Sequence, residues 1–244
     1  MTEYLTLKTE NNDEFTVKHS RFIGYAKPVT TQDEAVAFIN EIKSKHWDAK
    51  HNVYAYILRE GQTRRYSDDG EPQGTAGIPV LDVLQKEGLT DCCVVVTRYF
   101  GGILLGGGGL VRAYSHAAKL AVDSATVIKM SMCVRAECEC DYGFYGRLAS
   151  LIPECGGTVE NSEFTDIVKV VFTIPESLYG SFCAQLTECS FGKVSSTVLE
   201  KIFLEIKSKI KRVLVKKLLQ LIYMNEKRQV RSGYAEYKRV NGEE

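Results

Sequence analysis

No stretch of this chain approaches the roughly 20 consecutive apolar residues that a membrane-crossing helix needs. Residues 1–14 carry charges where an export signal would place an apolar centre. Both absences predict a cytosolic protein with no membrane partner. Zinc knuckles are missing as well. The eight cysteines stand at Cys92, Cys93, Cys133, Cys138, Cys140, Cys155, Cys183 and Cys189. None of them forms the Cys-x2-Cys pair typical of structural zinc, and the nearest approach is Cys138-x-Cys140 inside an apparent strand. In a long chain without an export signal they read as reduced thiols filling core space, rather than as a disulfide framework. His19, His46, His51 and His116 show neither metal-ligand nor catalytic-triad spacing. No metal or cofactor is expected.

Net charge is absent overall, with 31 Lys/Arg against 31 Asp/Glu, but the charge is unevenly placed. Residues 207–244 hold 11 Lys/Arg and 4 Asp/Glu, which leaves 20 against 27 in the body. A basic extension of this kind suits nucleic acid or another acidic surface, the protein's own body included.

What is present is a strong periodic pattern. Thr31 with Glu34 three residues on forms a capping box, and Ala35, Phe38, Ile39 and Ile42 follow at helical spacing. A strand is predicted over 51–58, and Glu60-Gly61 turns it into a short return strand through Arg64, Arg65 and Tyr66. A second helix is predicted over 76–87 with Pro79 in its first turn, then a buried strand over 92–97 and a helix over 110–124. The nine residues 101–109 between them include six glycines.

From Ile128 to Cys140 apolar and polar residues alternate, the mark of a half-buried strand. A helix at 142–154, strands at 157–164 and 167–174, a helix at 176–190 and a strand at 194–206 complete the order βαββαβ of a ferredoxin-like domain. The chain therefore divides as 1–125, 126–206 and a basic extension at 207–244, where helical spacing returns up to about residue 224. That extension could dock on a protein partner.

Three segments carry a family resemblance. They are Tyr66-Ser67-Asp68-Asp69-Gly70-Glu71-Pro72-Gln73-Gly74-Thr75-Ala76-Gly77, Val96-Thr97-Arg98-Tyr99-Phe100-Gly101-Gly102, and Leu105-Gly106 with Gly108-Gly109-Leu110-Val111-Arg112-Ala113-Tyr114. Over roughly 20–125 the chain resembles the Impact/YigZ family, and the βαββαβ segment resembles the small C-terminal domain of its bacterial members. The resemblance implies an α+β protein. Its first domain would be of the ribosomal-protein-S5 second-domain type, and its second similar to the fifth domain of elongation factor G. Both relatives touch ribosomal RNA, so the implied role is translation-associated, with RNA or the ribosome as partner. Eukaryotic members add a domain that restrains an amino-acid-starvation kinase, and nothing here looks like it. Residues 207–244 lie outside the family pattern.

Read as chemistry, a glycine-rich stretch opening a helix brings backbone N–H groups within reach of an anion. Gly101, Gly102, Gly106, Gly107, Gly108 and Gly109 supply it, and Arg98 and Arg112 bracket it. Arg64 and Arg65 extend the basic candidates, with Arg59 as a further member of the patch. The bland alternative is that the glycines serve tight backbone packing while Arg98 pairs with Asp68, Asp69 or Glu71. The stretch fits neither the P-loop nor the dinucleotide fingerprint. Asp68, Asp69 and Glu71 could hold Mg²⁺ or act as acid and base, or could simply form a turn ahead of the next helix. Three functions stay open: a nucleic-acid-binding regulator, an enzyme using the glycine loop and acidic turn, and a protein-interaction module. The family resemblance favours the regulator, and the lack of a nucleophile and base pair and of a P-loop lysine speaks against catalysis.

Overall fold

The computed structural model describes residues 2–205. The expectations for 207–244, a helix that docks a partner or meets nucleic acid, lie outside the described residues. Five helices and two five-stranded sheets build the described chain, which is α+β.

The first sheet is antiparallel throughout. It runs β2 (Asn11–Val17), β3 (Ser20–Pro28), β6 (Cys92–Tyr99), β4 (His51–Ile57) and β5 (Arg64–Ser67). Helix α1 (Gln32–Lys45) covers one face, and α2 (Gly77–Lys86) and α3 (Gly107–Ala125) cover the other. Successive strand residues point to opposite faces, so each strand feeds two cores. Cys92, Val94 and Val96 pack with α2 and α3, while Cys93 and Val95 meet Phe38, Ile39 and Ile42 of α1. This is why β6 reads as a continuous apolar run: it is the central strand, buried on both sides. Its thiols act as small apolar side chains, and burial pushes Cys92 up to about 12.

Helix α1 starts where its capping box predicts. The Thr31 hydroxyl accepts from the Glu34 N–H, and the Glu34 carboxylate accepts from the Thr31 N–H. Helix α3 starts three residues earlier than expected, at Gly107, so the glycine loop is shorter and three glycines form the helix's first turn. Residues 3–28, which periodicity leaves unassigned, form β1 (Glu3–Leu7), β2 and β3. Polar β2 is a sheet edge with only Phe15 and Val17 turned toward the core, which hides it from a pattern search. It joins β3 through Lys18 and His19, both at positive φ (45° and 62°). Two such residues make the tight connection that matches strand twist, usually signalled by Asn-Gly.

The second sheet follows the order β7 (Val127–Cys140), α4 (Tyr142–Glu154), β8 (Thr158–Phe164), β9 (Val168–Pro175), α5 (Glu176–Ser190) and β10 (Ser196–Glu205). Strand β7 is central, with β9 on one edge and β10 on the other, and β8 lies beyond β9. Val134, Ala136 and Cys138 face α4 and α5 with Val170, Phe172 and Ile174. Toward its start, Ser131 and Cys133 on the expected polar face are buried too. Strand β1 pairs with that first part of β7, from Glu3↔Ser131 to Leu7↔Val127. Arg59 secures it: the guanidinium lies over both the Tyr4 and Phe203 rings, which meet edge to face, and Asp91 accepts from its Nε at 3.1 Å. Among the described residues no helix is long and apolar enough to cross a membrane.

Candidate functional site

The acidic turn follows β5, and its three carboxylates separate into three different environments. Asp68 accepts from the N–H groups of Gly74 (2.9 Å), Ala76 (3.1 Å) and Gly77 (2.8 Å). It therefore caps α2 from eight or more residues upstream, where the local N-cap residue, Ala76, has no side-chain acceptor. Asp69 accepts from the Lys43 ammonium and from the Asn52 N–H, both at 2.7 Å. Glu71 is buried beneath them. It accepts from Arg98 Nη1 at 2.6 Å and from the Tyr114 hydroxyl at 2.8 Å, with His51 Nε2 at 3.9 Å. Burial, reinforced by Glu71, drives the Tyr114 hydroxyl far above its ordinary pKa, so it stays an O–H donor at any physiological pH. Among the described residues no group of three or more His, Cys, Asp or Glu side chains converges to hold a metal ion.

Arg98, at the end of β6, is buried between the rings of Phe22 and Phe100, each 5.4 Å from its guanidinium carbon. Its Nε is the one buried side-chain nitrogen or oxygen without a hydrogen-bond partner among the described residues. Arg98 thus joins the core of the turn rather than the surface.

The glycine loop behaves differently. Among the described residues, only Gly101 of residues 101–109 donates its backbone N–H to a protein acceptor, at 3.2 Å to Ser20 Oγ. Gly101 is also the glycine that packing demands, since a Cβ there would lie 2.0 Å from the His19 carbonyl carbon. This close approach locks the loop onto the β2–β3 hairpin tip. Gly102 and Gly106 adopt positive φ. By contrast Gly108 is helical with nothing within 4 Å of a Cβ, and at Gly107 a Cβ would only touch Thr75 at 3.8 Å. Nothing among the described residues requires these two to be glycine, although each costs helix stability.

Beside this helix start, between α3 and the hairpin, lies a cavity of about 320 Å³. Its floor is apolar, from Phe15, Val17, Leu105 and Ala113. Its rim carries Lys18 and Arg112, and His116 stands against Phe15. Among the described residues no carboxylate lies within 4.0 Å of Lys18 or Arg112, and no acidic residue lines the cavity. Lys18, His116 and Phe15 escape a motif search, because a turn lysine and an exposed histidine carry no local signature. The one available hint is Arg112 and His116 four apart on a helix face.

The other basic candidates are dispersed. Arg64 and Arg65 are exposed on β5, also without a carboxylate partner among the described residues. Adjacent in a strand, they point to opposite faces, and β5 is the sheet edge farthest from β2. Four strand spacings separate those edges, about 19 Å. Arg59 and Arg98 are engaged by Asp91 and Glu71.

Comparison with known proteins agrees with the motifs. Residues 18–122 match the Impact N-terminal domain, and residues 138–193 match a domain of unknown function, DUF1949. The chain is 36% identical over 203 residues to the IMPACT family member YvyE of Bacillus subtilis, covering 83% of this chain and 94% of YvyE. It is 32% identical over 188 residues to the IMPACT family member YigZ of Escherichia coli, covering 76% of this chain and 92% of YigZ. A crystal structure titled as that of a hypothetical protein superposes with a TM-score of 0.53 at 31% identity, covering 82% of this chain and 98% of that one. With two curated relatives matched over nine-tenths of their length and both domains in order, the chain belongs to the IMPACT family.

Proposed function

We propose that this protein is a translation-associated factor that binds RNA, on the ribosome or apart from it, through the start of α3 and the β2–β3 hairpin. The observation that carries the reading is the coincidence of helix-start backbone N–H groups with two cations, Lys18 and Arg112, none of them having a hydrogen-bond or carboxylate partner among the described residues. Helix-terminal N–H groups and the helix dipole favour a phosphate, and the two side chains add charge-assisted hydrogen bonds. The resemblance of the two domains to ribosomal protein S5 and to elongation factor G supports an RNA ligand. In this reading Arg98, Glu71 and the acidic turn brace the site from below, and residues 1–125 and 126–206 act as the two domains of a cytoplasmic protein.

Binding of a single-stranded RNA to the full chain, titrated with salt, tests it. Replacing both Lys18 and Arg112 by Ala should lower the slope of log affinity against log salt by about 1.4, the share of two phosphate contacts. An unchanged slope with intact folding would overturn the assignment. Deleting 207–244 separates the contribution of the basic extension: a fall in slope larger than that of the double variant would move the main RNA contact there.

A further inference from the structure

The floor of the cavity has no use in holding phosphate, yet it is the most built part of the site. Phe15 stacks on Phe22 with ring centroids 5.4 Å apart and planes 14° apart, which fixes its orientation from the core side. His116 stands against it at 4.6 Å with planes at 74°, so two rings form a right-angled corner. Leu105 and Val17 are only partly buried against the core, and their remaining surface lines the cavity. An apolar corner of this kind accepts a flat aromatic group by stacking on one ring and edge contact with the other. The cationic rim sits over that corner, with Lys18 held by a two-residue turn that Gly101 pins in place. The volume of about 320 Å³ falls at the small end of ligand sites, too small for an extended peptide or a cofactor with two nucleotides.

We infer that the cavity between the β2–β3 hairpin and α3 is a site for one nucleotide unit. Its base would stack in the Phe15–His116 corner, and its phosphate would be held by Lys18, Arg112 and the N–H groups at the start of α3. The unit is either a free nucleoside monophosphate or an unstacked residue of a single strand, since both present the same base and phosphate. This deepens the RNA-binding reading and rests on it for the second source only.

The test titrates the full chain with AMP, UMP, ribose 5-phosphate and inorganic phosphate by calorimetry, and with a short single-stranded RNA and its abasic analogue. Both nucleoside monophosphates should bind roughly tenfold or more tighter than ribose 5-phosphate, the scale of one stacked base. His116→Ala, at an exposed position that leaves the core intact, should remove that advantage and leave ribose 5-phosphate binding unchanged. Phe15→Leu should do the same, and its thermal unfolding reports whether the core has survived. Equal affinity for abasic and complete RNA, with the Lys18 and Arg112 salt effect present, would overturn the base site while the RNA-binding reading stands. Tight nucleoside monophosphate binding with no RNA binding would keep the site, make its ligand a free nucleotide, and overturn the RNA reading. Binding of inorganic phosphate as tight as that of AMP would overturn the base site in either case.

Discussion

The two sheets differ in how many of their surface cations are left without a carboxylate partner among the described residues. On the open face of the second sheet, Arg135 is held between Glu160 and Glu200, and Lys169 lies between Glu137 and Glu139. Lys129, Arg147 and Lys201 also have carboxylate partners, which leaves Lys193 as the unpaired cation of that region among the described residues. In the first region Lys18, Lys45, Lys50, Arg64, Arg65, Lys86 and Arg112 have none within salt-bridge distance among the described residues, while Arg21, Lys27, Lys43 and Lys119 at the surface and the deeper Arg59 and Arg98 do. A βαββαβ sheet offers a broad face, but a face whose cations are already neutralised gains little from a polyanion. Free charge, more than architecture, separates a candidate RNA surface from an inert one.

The sharpest way to break this contrast is to disturb the paired charges under the first region. Glu71→Ala leaves the buried Arg98 guanidinium without its carboxylate and should cost about 3–5 kcal/mol, read as a lower urea midpoint. Loss below about 1 kcal/mol would show that Arg98 rotates to water. Gly101→Ala forces a Cβ into the backbone of His19 and should cost about 1–3 kcal/mol by the scale of overpacking, while releasing the hairpin and weakening RNA binding. Asp68→Ala uncaps α2 and should cost about 0.5–2 kcal/mol, with amide exchange rising first at Gly74, Ala76 and Gly77.

Two smaller effects sharpen the comparison from the other side. Gly108→Ala should stabilise the fold by about 0.5–1 kcal/mol, because the position is helical and open, while crowding the anion site. A rise in melting temperature together with a loss of RNA affinity is the expected pair, and a gain in both would remove Gly108 from the site. Arg135→Ala, on the paired face, should leave the urea midpoint and RNA binding as they were.

The smallest expected effect is with pH. His46 lies between the hydroxyls of Tyr25 (2.7 Å) and Tyr99 (2.8 Å), and burial lowers its pKa from the usual 6.5. The unfolded chain then takes up the proton first as pH falls. Stability should be full above the unfolded value and should decline as pH drops through it toward the folded value. His46→Gln should flatten that decline in thermal melts.

Local signals were legible wherever a short segment contains its own cause. The capping box of Thr31 and Glu34, the run of β6 and the bounds of α4 and α5 follow from periodicity within a few turns of chain. The sequence by itself therefore determined the order of most elements and the family. It also put the glycine loop and the acidic turn in view as candidates. Tertiary structure decided what those candidates do. Asp68 became a helix cap, Asp69 a brace for β4, and Glu71 the partner of an arginine 27 residues away. It also recruited Lys18 from an unremarked hairpin to face Arg112, and carried β1 across to pair with β7. Whether a charge is free depends on which opposite charge the fold brings within a few ångströms. That distance is set by packing between segments far apart in the chain, which no local spacing encodes.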